Sequence, residues 1–258
     1  MSNRVMLVVG DKFTQFAAGK DAITISQLCG LLSLPPGITF DRGRLIAVPG
    51  QGLGDDDIER VLALASASPH RDHFDLTLWR DRPRRAGPRL SHKRRPENTL
   101  ISEPRRVAEN VFELSLLIDE DCELMADHQT GQHVQGMVLM EAARQTFLAV
   151  TEAFYLPQDG GRFYFVINTF GAEYNRFAFP LDATIRYRVT EMNVANPLRQ
   201  SFSAEIDVMQ CGLKSASFQT SFTAFEDARI SAKEDALARD ALSEHLSGLT
   251  GGDMGLAA

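Results

Sequence analysis

The sequence predicts an α+β protein in which an antiparallel sheet wraps around one long helix, preceded by a small α/β domain. The first observation is the apolar segment 134–155, which is long enough for about six helical turns. The second is the run of strand-like segments after this helix, at 162–170, 183–190, 201–209 and 215–225. One long helix followed by consecutive strands is typical of an α+β domain. A sheet curled around a mostly apolar helix would bury both elements.

The first 80 residues follow a different plan, in which short strands alternate with helices. Short apolar runs at 4–9, 44–48 and 73–79 predict strands, and segments 25–34 and 55–66 predict helices. Pro35 and Pro36 end the first of these helices. Three glycines at 50, 52 and 54 could cradle a phosphate, but the acidic run 55–57 favours a turn followed by an acidic helix start.

Changes in composition divide the chain into four parts. Residues 1–80 form the α/β domain of unknown role, and residues 81–96 are a linker rich in Arg, Pro and Gly. Residues 97–226 form the domain with the long helix, and residues 227–258 a terminal helix with a disordered tail. The linker carries most of the eight Lys and Arg residues between Arg80 and Arg95, so it is either solvated or a docking surface for an acidic protein.

Composition and charge exclude several classes of function. A net charge of −7 argues against a nucleic-acid partner, and no apolar run approaches the length needed to cross a membrane. The three cysteines, Cys29, Cys122 and Cys211, are scattered and fit neither a disulfide framework nor a metal-binding spacing. We therefore expect reduced, buried thiols in a cytoplasmic protein that needs no metal or cofactor.

The segment 127–145, DHQTGQHVQGMVLMEAARQ, carries the chemistry of the chain. Gly136 lies near the predicted helix start, where uncovered backbone N–H groups could polarise a thioester carbonyl. Glu141 follows about one turn later, and Arg144 and Gln145 share its helix face at i+3 and i+4. The spacing fits an exposed Glu–Arg pair. It also fits a buried site, because groups of this kind are costly to bury without a role.

Two segments of the chain resemble the A-factor biosynthesis (γ-butyrolactone autoregulator synthase) hotdog family. The string 133–145, HVQGMVLMEAARQ, is similar to the family's His-Val-Pro-Gly-Met segment and its Leu-Glu-Ala-Ala-Arg-Gln continuation. Upstream, His92-Lys93 and the string 96–101, PENTLI, resemble the family's His-Lys and Glu-Asn-Val-Leu elements, and Asp127-His128 matches its polar pair before the helix. The resemblance covers roughly residues 90–226 and implies a hotdog fold for residues 97–226.

The resemblance also implies a reaction: transfer of a β-ketoacyl group from an acyl carrier protein or coenzyme A thioester to a phosphorylated three-carbon acceptor such as dihydroxyacetone phosphate. Glu141 would be the general base or would orient the acceptor hydroxyl, and Arg144 would meet phosphate or fix Glu141. The amides near Gly136 and Met137 would hold the thioester oxygen. The remaining implied site residues are two histidines for proton transfer and two substrate contacts: His128, His133, Asp127 and Gln145.

Two departures from the family pattern affect this interpretation. Gln135 stands where the family usually has proline, and residues 1–80 carry no second copy of the helix signature. Because hotdog sites form between two such units, the chain would need to form a homodimer. The alternatives are a hotdog dehydratase or thioesterase and a non-catalytic acyl-binding protein. Dehydration ranks second because the dehydratases have their catalytic histidine where this chain has Asp127, with His128 one place later.

Overall fold

The structure is a computed structural model that describes residues 3–38, 43–126, 131–157 and 161–251. Its described strands form a four-stranded parallel sheet near the N-terminus and a six-stranded antiparallel sheet in the rest of the chain. The two sheets correspond to the two plans that the sequence predicts.

The N-terminal sheet has the strand order β2-β1-β3-β4. Its strands and the helices that connect them are β1 (Arg4–Val9), α1 (Thr14–Ala17), β2 (Ala22–Thr24), α2 (Ile25–Leu32), β3 (Leu45–Pro49), α3 (Asp55–Ala67), β4 (Phe74–Asp75) and α4 (Thr77–Arg80). Helix α2 begins at Ile25 because Thr24 and Gln27 form a capping box, in which each side chain bonds the backbone N–H of the other.

The predicted strand at 73–79 is wrong beyond its first residues. Strand β4 covers only Phe74–Asp75, and the chain then turns into α4. Trp79 is fully buried against the N-terminal core and donates its indole N–H to the carbonyl of Ala47 at 3.0 Å. The apparent alternation of the segment therefore reflects apolar residues that reach one core from a helical turn rather than from a strand.

The second unit contains α5 (Pro88–Ser91), β5 (Arg105–Ala108), β6 (Val111–Ser115), α6 (Gly136–Phe154), β7 (Phe163–Tyr174), β8 (Thr184–Asn196), β9 (Arg199–Gln210) and β10 (Leu213–Glu226). The sheet order is β5-β6-β8-β9-β10-β7, with every pair of neighbours antiparallel. The sequence-based prediction of one long helix and later strands is confirmed.

Helix α6 forms the centre of the second core. The pattern of β9 alternates strictly, so that Phe202, Ala204, Ile206 and Val208 are buried. Phe147 of α6 stacks on Phe222 of β10 with ring centroids 4.5 Å apart. This is the arrangement of a hotdog fold, with a helix enclosed by an antiparallel sheet.

The glycine-rich loop after β3 packs the N-terminal unit against the second unit. Gln51 is buried, donates to the carbonyls of Leu116 and Leu181, and accepts from the N–H of Ile118. A Cβ added to Gly50 would lie 2.5 Å from the carbonyl oxygen of Pro180. The glycines of this loop therefore allow the backbones of the two units to approach closely. This agrees with the predicted turn and not with a phosphate-binding loop.

Part of the stretch 81–96, expected to be a linker, is packed. The Arg85 side chain is almost fully buried, donates to the carbonyls of Thr99 and Leu117, and pairs with Asp55. Ala86 and Ser91 are also buried. Composition did not show this because arginine can bury its stem and its guanidinium can bond backbone carbonyls.

Helix α7 (Asp227–Gly251) follows β10 and exposes Leu237, Leu242, Leu246 and Leu249 along most of its length. The described part of the chain has no helix that is both long and apolar enough to cross a membrane. The three cysteines are free thiols, but only Cys122 is buried, whereas Cys211 is exposed in the β9–β10 turn.

Candidate functional site

A cleft of about 340 Å³ opens beside the first two turns of α6. Helix α6, strand β7 and the chain between residues 93 and 124 supply its walls, which consist of Met137, Met140, Glu141, Arg144, Ile167, Phe170, Lys93, Asn98, Cys122, Glu123 and Leu124. Most of the lining is apolar, but Glu141, Lys93 and Arg144 are gathered on one side and form a polar wall. Such a cleft suits an apolar chain that ends in a polar reacting group.

Glu141 is the centre of this polar wall. Arg144 binds its carboxylate with two hydrogen bonds of 2.8 Å, from Nε to Oε2 and from Nη2 to Oε1. The ammonium of Lys93 lies 2.9 Å from Oε1. The Glu141 side chain is only 17% exposed, so these contacts hold a charge in a largely buried position.

The cations keep Glu141 ionised. Burial alone would raise the pKa of its carboxyl, but the hydrogen bonds from Arg144 and Lys93 outweigh burial and lower the pKa to about 2. The same bond to Glu141 raises the pKa of Arg144. At neutral pH the group is therefore a carboxylate that accepts hydrogen bonds and holds no proton to donate.

Gln145 is fully buried and links α6 to the chain that precedes β5. Its carbonyl oxygen accepts from the N–H of Leu100 at 2.8 Å, and its amide donates to the carbonyl of Asn98 at 2.8 Å and to Glu141 at 3.1 Å. Gln145 lies behind Glu141 and is not part of the cleft lining. The substrate contact that the resemblance implies for Gln145 stays a prediction.

The start of α6 lies at the same end of the cleft. The helix begins at Gly136, and Met137 lines the cleft one turn before Glu141. Tyr174 covers Gly136: its hydroxyl donates to the Gly136 carbonyl at 2.9 Å, and a Cβ on Gly136 would lie 2.9 Å from its ring. A side chain at position 136 would displace the ring of Tyr174.

Of the two predicted histidines, the structure describes His133, and it lies outside the cleft lining. His133 packs its ring on Phe177 with centroids 4.8 Å apart and does not line the cleft. Asp127 and His128 lie outside the described residues. The roles that the resemblance implies for Asp127 and His128 stay predictions.

Sequence reasoning missed one residue of the polar wall, Lys93. It is part of the His92-Lys93 element that carries the resemblance, and this was the signal that could have identified it. Spacing could not, because Lys93 reaches Glu141 across 48 positions of sequence.

A second, larger cleft of about 580 Å³ lies between β3 and the outer face of β6 and β8. Its charged lining is mixed, with Asp81, Arg82, Glu113, Asp182 and Arg186, and Arg186 already pairs with Glu113. We place the candidate site in the smaller cleft, because that one joins a buried carboxylate to an apolar slot at a helix start.

Fold and site together define a hotdog domain with an ionised carboxylate on its central helix. The chain belongs to the A-factor biosynthesis hotdog domain family, whose profile matches residues 74–226. This membership supports a hotdog protein that acts on acyl thioesters. No curated protein matches the sequence.

Among solved structures, a conserved protein from Pseudomonas aeruginosa is 19% identical with a TM-score of 0.35, and the match covers 48% of this chain and 87% of that one. A thioesterase from Haemophilus influenzae is 14% identical with a TM-score of 0.36, covering 49% and 78% of the two chains. A mutant thioesterase from Pseudomonas aeruginosa is 12% identical with a TM-score of 0.35, covering 48% and 81%. These scores are too low to carry an argument about function.

Proposed function

We propose that this protein is an acyltransferase of the butyrolactone-synthase type, which moves a β-ketoacyl group from an acyl-carrier-protein or coenzyme A thioester to a hydroxyl acceptor such as dihydroxyacetone phosphate. One observation carries the proposal: Glu141 is held as a carboxylate at the side of an apolar cleft. Family membership supplies the substrate class. The protein is then an enzyme that needs no nucleic acid or membrane partner.

In this mechanism Glu141 accepts a hydrogen bond from the acceptor hydroxyl and aims its oxygen at the thioester carbon. The new C–O bond forms as the C–S bond breaks, and the hydroxyl proton ends on the leaving thiolate. A carboxylate with a pKa of about 2 does not retain this proton near neutral pH, so Glu141 orients the hydroxyl and relays the proton.

The oxygen of the thioester carbonyl becomes negative as the hydroxyl attacks. The first backbone N–H groups of α6, at Gly136 and Met137, stabilise that charge in this proposal because they form the positive end of the helix dipole. Met137 already lines the cleft, one turn from Glu141. The apolar residues Met140, Ile167 and Phe170 would hold the acyl chain.

The state of Glu141 weighs against dehydration. A dehydratase acid must donate a proton to the departing hydroxyl, which requires a carboxyl whose pKa is raised. The pKa of Glu141 is lowered instead. Hydrolysis remains the second candidate, because a carboxylate that orients a hydroxyl can orient water in the same position.

A second copy of the chain completes the cleft in this proposal. Strand β7 is an edge of the six-stranded sheet and exposes Tyr164, Ile167 and Tyr174. A long apolar edge strand favours pairing with another strand. Because β7 also supplies Ile167 and Phe170 to the cleft, a partner on this edge would close over the site.

The test incubates the purified protein with a β-ketoacyl thioester, with and without dihydroxyacetone phosphate, and follows the products by mass spectrometry. A phosphorylated ester or butenolide that forms only with the acceptor supports transfer. Free acid formed equally in both reactions indicates a thioesterase, and an enoyl product a dehydratase. Unreacted thioester that still raises the melting temperature would mean that the protein binds acyl groups without turning them over.

A further inference from the structure

Lys93 contacts the carboxylate of Glu141 from a chain segment outside helix α6. Its Nζ lies 2.9 Å from Oε1, the same oxygen that accepts bonds from Arg144 and Gln145. The Lys93 side chain is 28% exposed and lines the cleft beside the less exposed carboxylate. Arg144 comes from the helix of Glu141 itself, whereas Lys93 reaches it from a separate segment.

The local backbone aims Lys93 at this position. Helix α5 ends at Ser91, and His92 follows in the left-handed region with φ of 54°. The Ser91 hydroxyl oxygen accepts from the N–H of Lys93 at 3.3 Å. Histidine adopts the left-handed region more readily than most residues, and contacts of its side chain can fix it there.

The surroundings of His92 do enforce this turn. Its Nε2 lies 3.2 Å from Oε1 of Glu152 on α6, and its ring meets Phe165 of β7 edge-on with centroids 5.4 Å apart. The turn is therefore tied to both elements that form the cleft. The backbone that carries Lys93 is therefore fixed relative to the cleft.

The other charged groups near the cleft are occupied elsewhere. Glu123 pairs with Arg95 at 3.1 Å, and both side chains are largely exposed at the rim. His92 is engaged with Glu152. The Cys122 thiol lines the cleft, and burial raises its pKa, which keeps it neutral. Lys93 and Arg144 are thus the cations that face Glu141 in the described structure.

We propose that Lys93 is a positioning residue that holds the Glu141 carboxylate ionised and directed along the cleft, and that it thereby sets the lower pH limit of the site. This inference rests on the proposed function, in which ionised Glu141 orients the acceptor hydroxyl. Removing the ammonium leaves the carboxylate with the hydrogen bonds from Arg144 and from the neutral amide of Gln145. The carboxylate then takes up a proton at a higher pH.

The experiment compares Lys93→Met with Arg94→Met, which removes the same charge from the adjacent exposed position. The side-chain carboxyl of Glu141 is followed by carbon NMR as the pH is lowered, with its signal assigned by its loss in Glu141→Gln. We expect Lys93→Met to raise the titration midpoint by roughly one pH unit. Arg94→Met should leave it unchanged, and Lys93→Arg should restore a low midpoint.

The same variants are assayed for thioester turnover across pH. We expect the acid limb of the rate profile to move upward in Lys93→Met by the same shift as the NMR midpoint, with Lys93→Arg close to wild type. An unchanged Glu141 midpoint in folded Lys93→Met overturns the inference, and Lys93→Arg supplies a folded comparison if the methionine variant unfolds. A shifted midpoint in a protein without turnover rejects the proposed function and leaves the positioning contact standing.

Discussion

The amide nitrogen of Gln145 lies 3.1 Å from Oε1 of Glu141 and donates at 2.8 Å to the carbonyl of Asn98. One buried amide therefore connects the face of α6 that carries Glu141 to a chain segment that forms another wall of the cleft. This connection ties the stability of the fold to the placement of the carboxylate.

Replacing Gln145 by leucine should destabilise the protein. The substitution keeps the volume but leaves the N–H of Leu100 and the carbonyl of Asn98 without their partner in a buried place. We expect a loss of about 2–4 kcal/mol in the free energy of unfolding, measured by urea denaturation. Gln219→Leu, on the exposed face of β10, is the control and should change stability by less than about 0.5 kcal/mol. Equal effects at the two positions would contradict this account.

The glycine at position 10 should tolerate no side chain. A Cβ there would lie 2.2 Å from the carbonyl oxygen of Gly52 and 2.6 Å from Oε2 of Glu120, which belongs to the second unit. We expect Gly10→Ala to lower the free energy of unfolding by about 1–3 kcal/mol. Gly30→Ala, where a Cβ in α2 meets nothing within 4 Å, should instead stabilise the helix by about 0.5–1 kcal/mol. The two substitutions should therefore change the free energy of unfolding in opposite directions. A Gly10→Ala variant as stable as wild type would show that the backbone shifts to accommodate the methyl group.

Glu141 should contribute stability that depends on pH. Its folded-state pKa, about 2, lies below the ordinary value of 4.5, so the contribution is fully present above about pH 4.5. It is lost as the pH falls toward 2, because the unfolded chain takes up the proton first. The difference in unfolding free energy between wild type and Glu141→Gln should therefore shrink by on the order of 1–3 kcal/mol over this range. A difference that stays constant from pH 5 to pH 3 would argue that the cations do not hold the carboxylate.

The exposed edge strand should control oligomeric state. We expect wild type to have about twice the chain mass of 28.6 kDa by light scattering, because β7 offers an unpaired edge. Tyr164→Lys places a charge on this edge at a residue outside the cleft lining and should give monomers with greatly reduced turnover. Met192→Lys changes an equally exposed residue on β8, which β9 and β10 separate from β7, and should leave the dimer intact. A wild-type monomer with full turnover would remove the second copy from the proposal.

The sequence predicts the parts of this structure that repeat with a regular period. The apolar segment 134–155 becomes α6 (Gly136–Phe154), and the alternating segment 215–225 becomes most of β10, because burial on one face imposes the period directly. Glu141 and Arg144 meet as their i, i+3 spacing indicates. The spacing left open whether this pair is exposed, and the structure buries most of Glu141.

The remaining features depend on contacts between distant parts of the chain. Lys93 reaches Glu141 from a segment in which His92 adopts the left-handed conformation, which no pattern in the sequence predicts. The resemblance predicts a substrate contact for the polar residue Gln145. Its burial depends on the backbone groups of Asn98 and Leu100, which need hydrogen-bond partners. The strand predicted over 73–79 is wrong for a similar reason. Trp79 donates its hydrogen bond to the carbonyl of Ala47 in β3, which is a contact between distant parts of the chain.

The most direct test of the central claim is thioester turnover by Glu141→Gln. Glutamine keeps the size of the side chain but removes the charge, and Lys93 and Arg144 can then turn to solvent because each is about 30% exposed. Circular dichroism should show an intact fold. We predict that the rate of product formation, measured by mass spectrometry with saturating acceptor, falls about 10²- to 10⁴-fold. A folded Glu141→Gln protein that works within twofold of wild type would contradict the assignment of this carboxylate to the reaction.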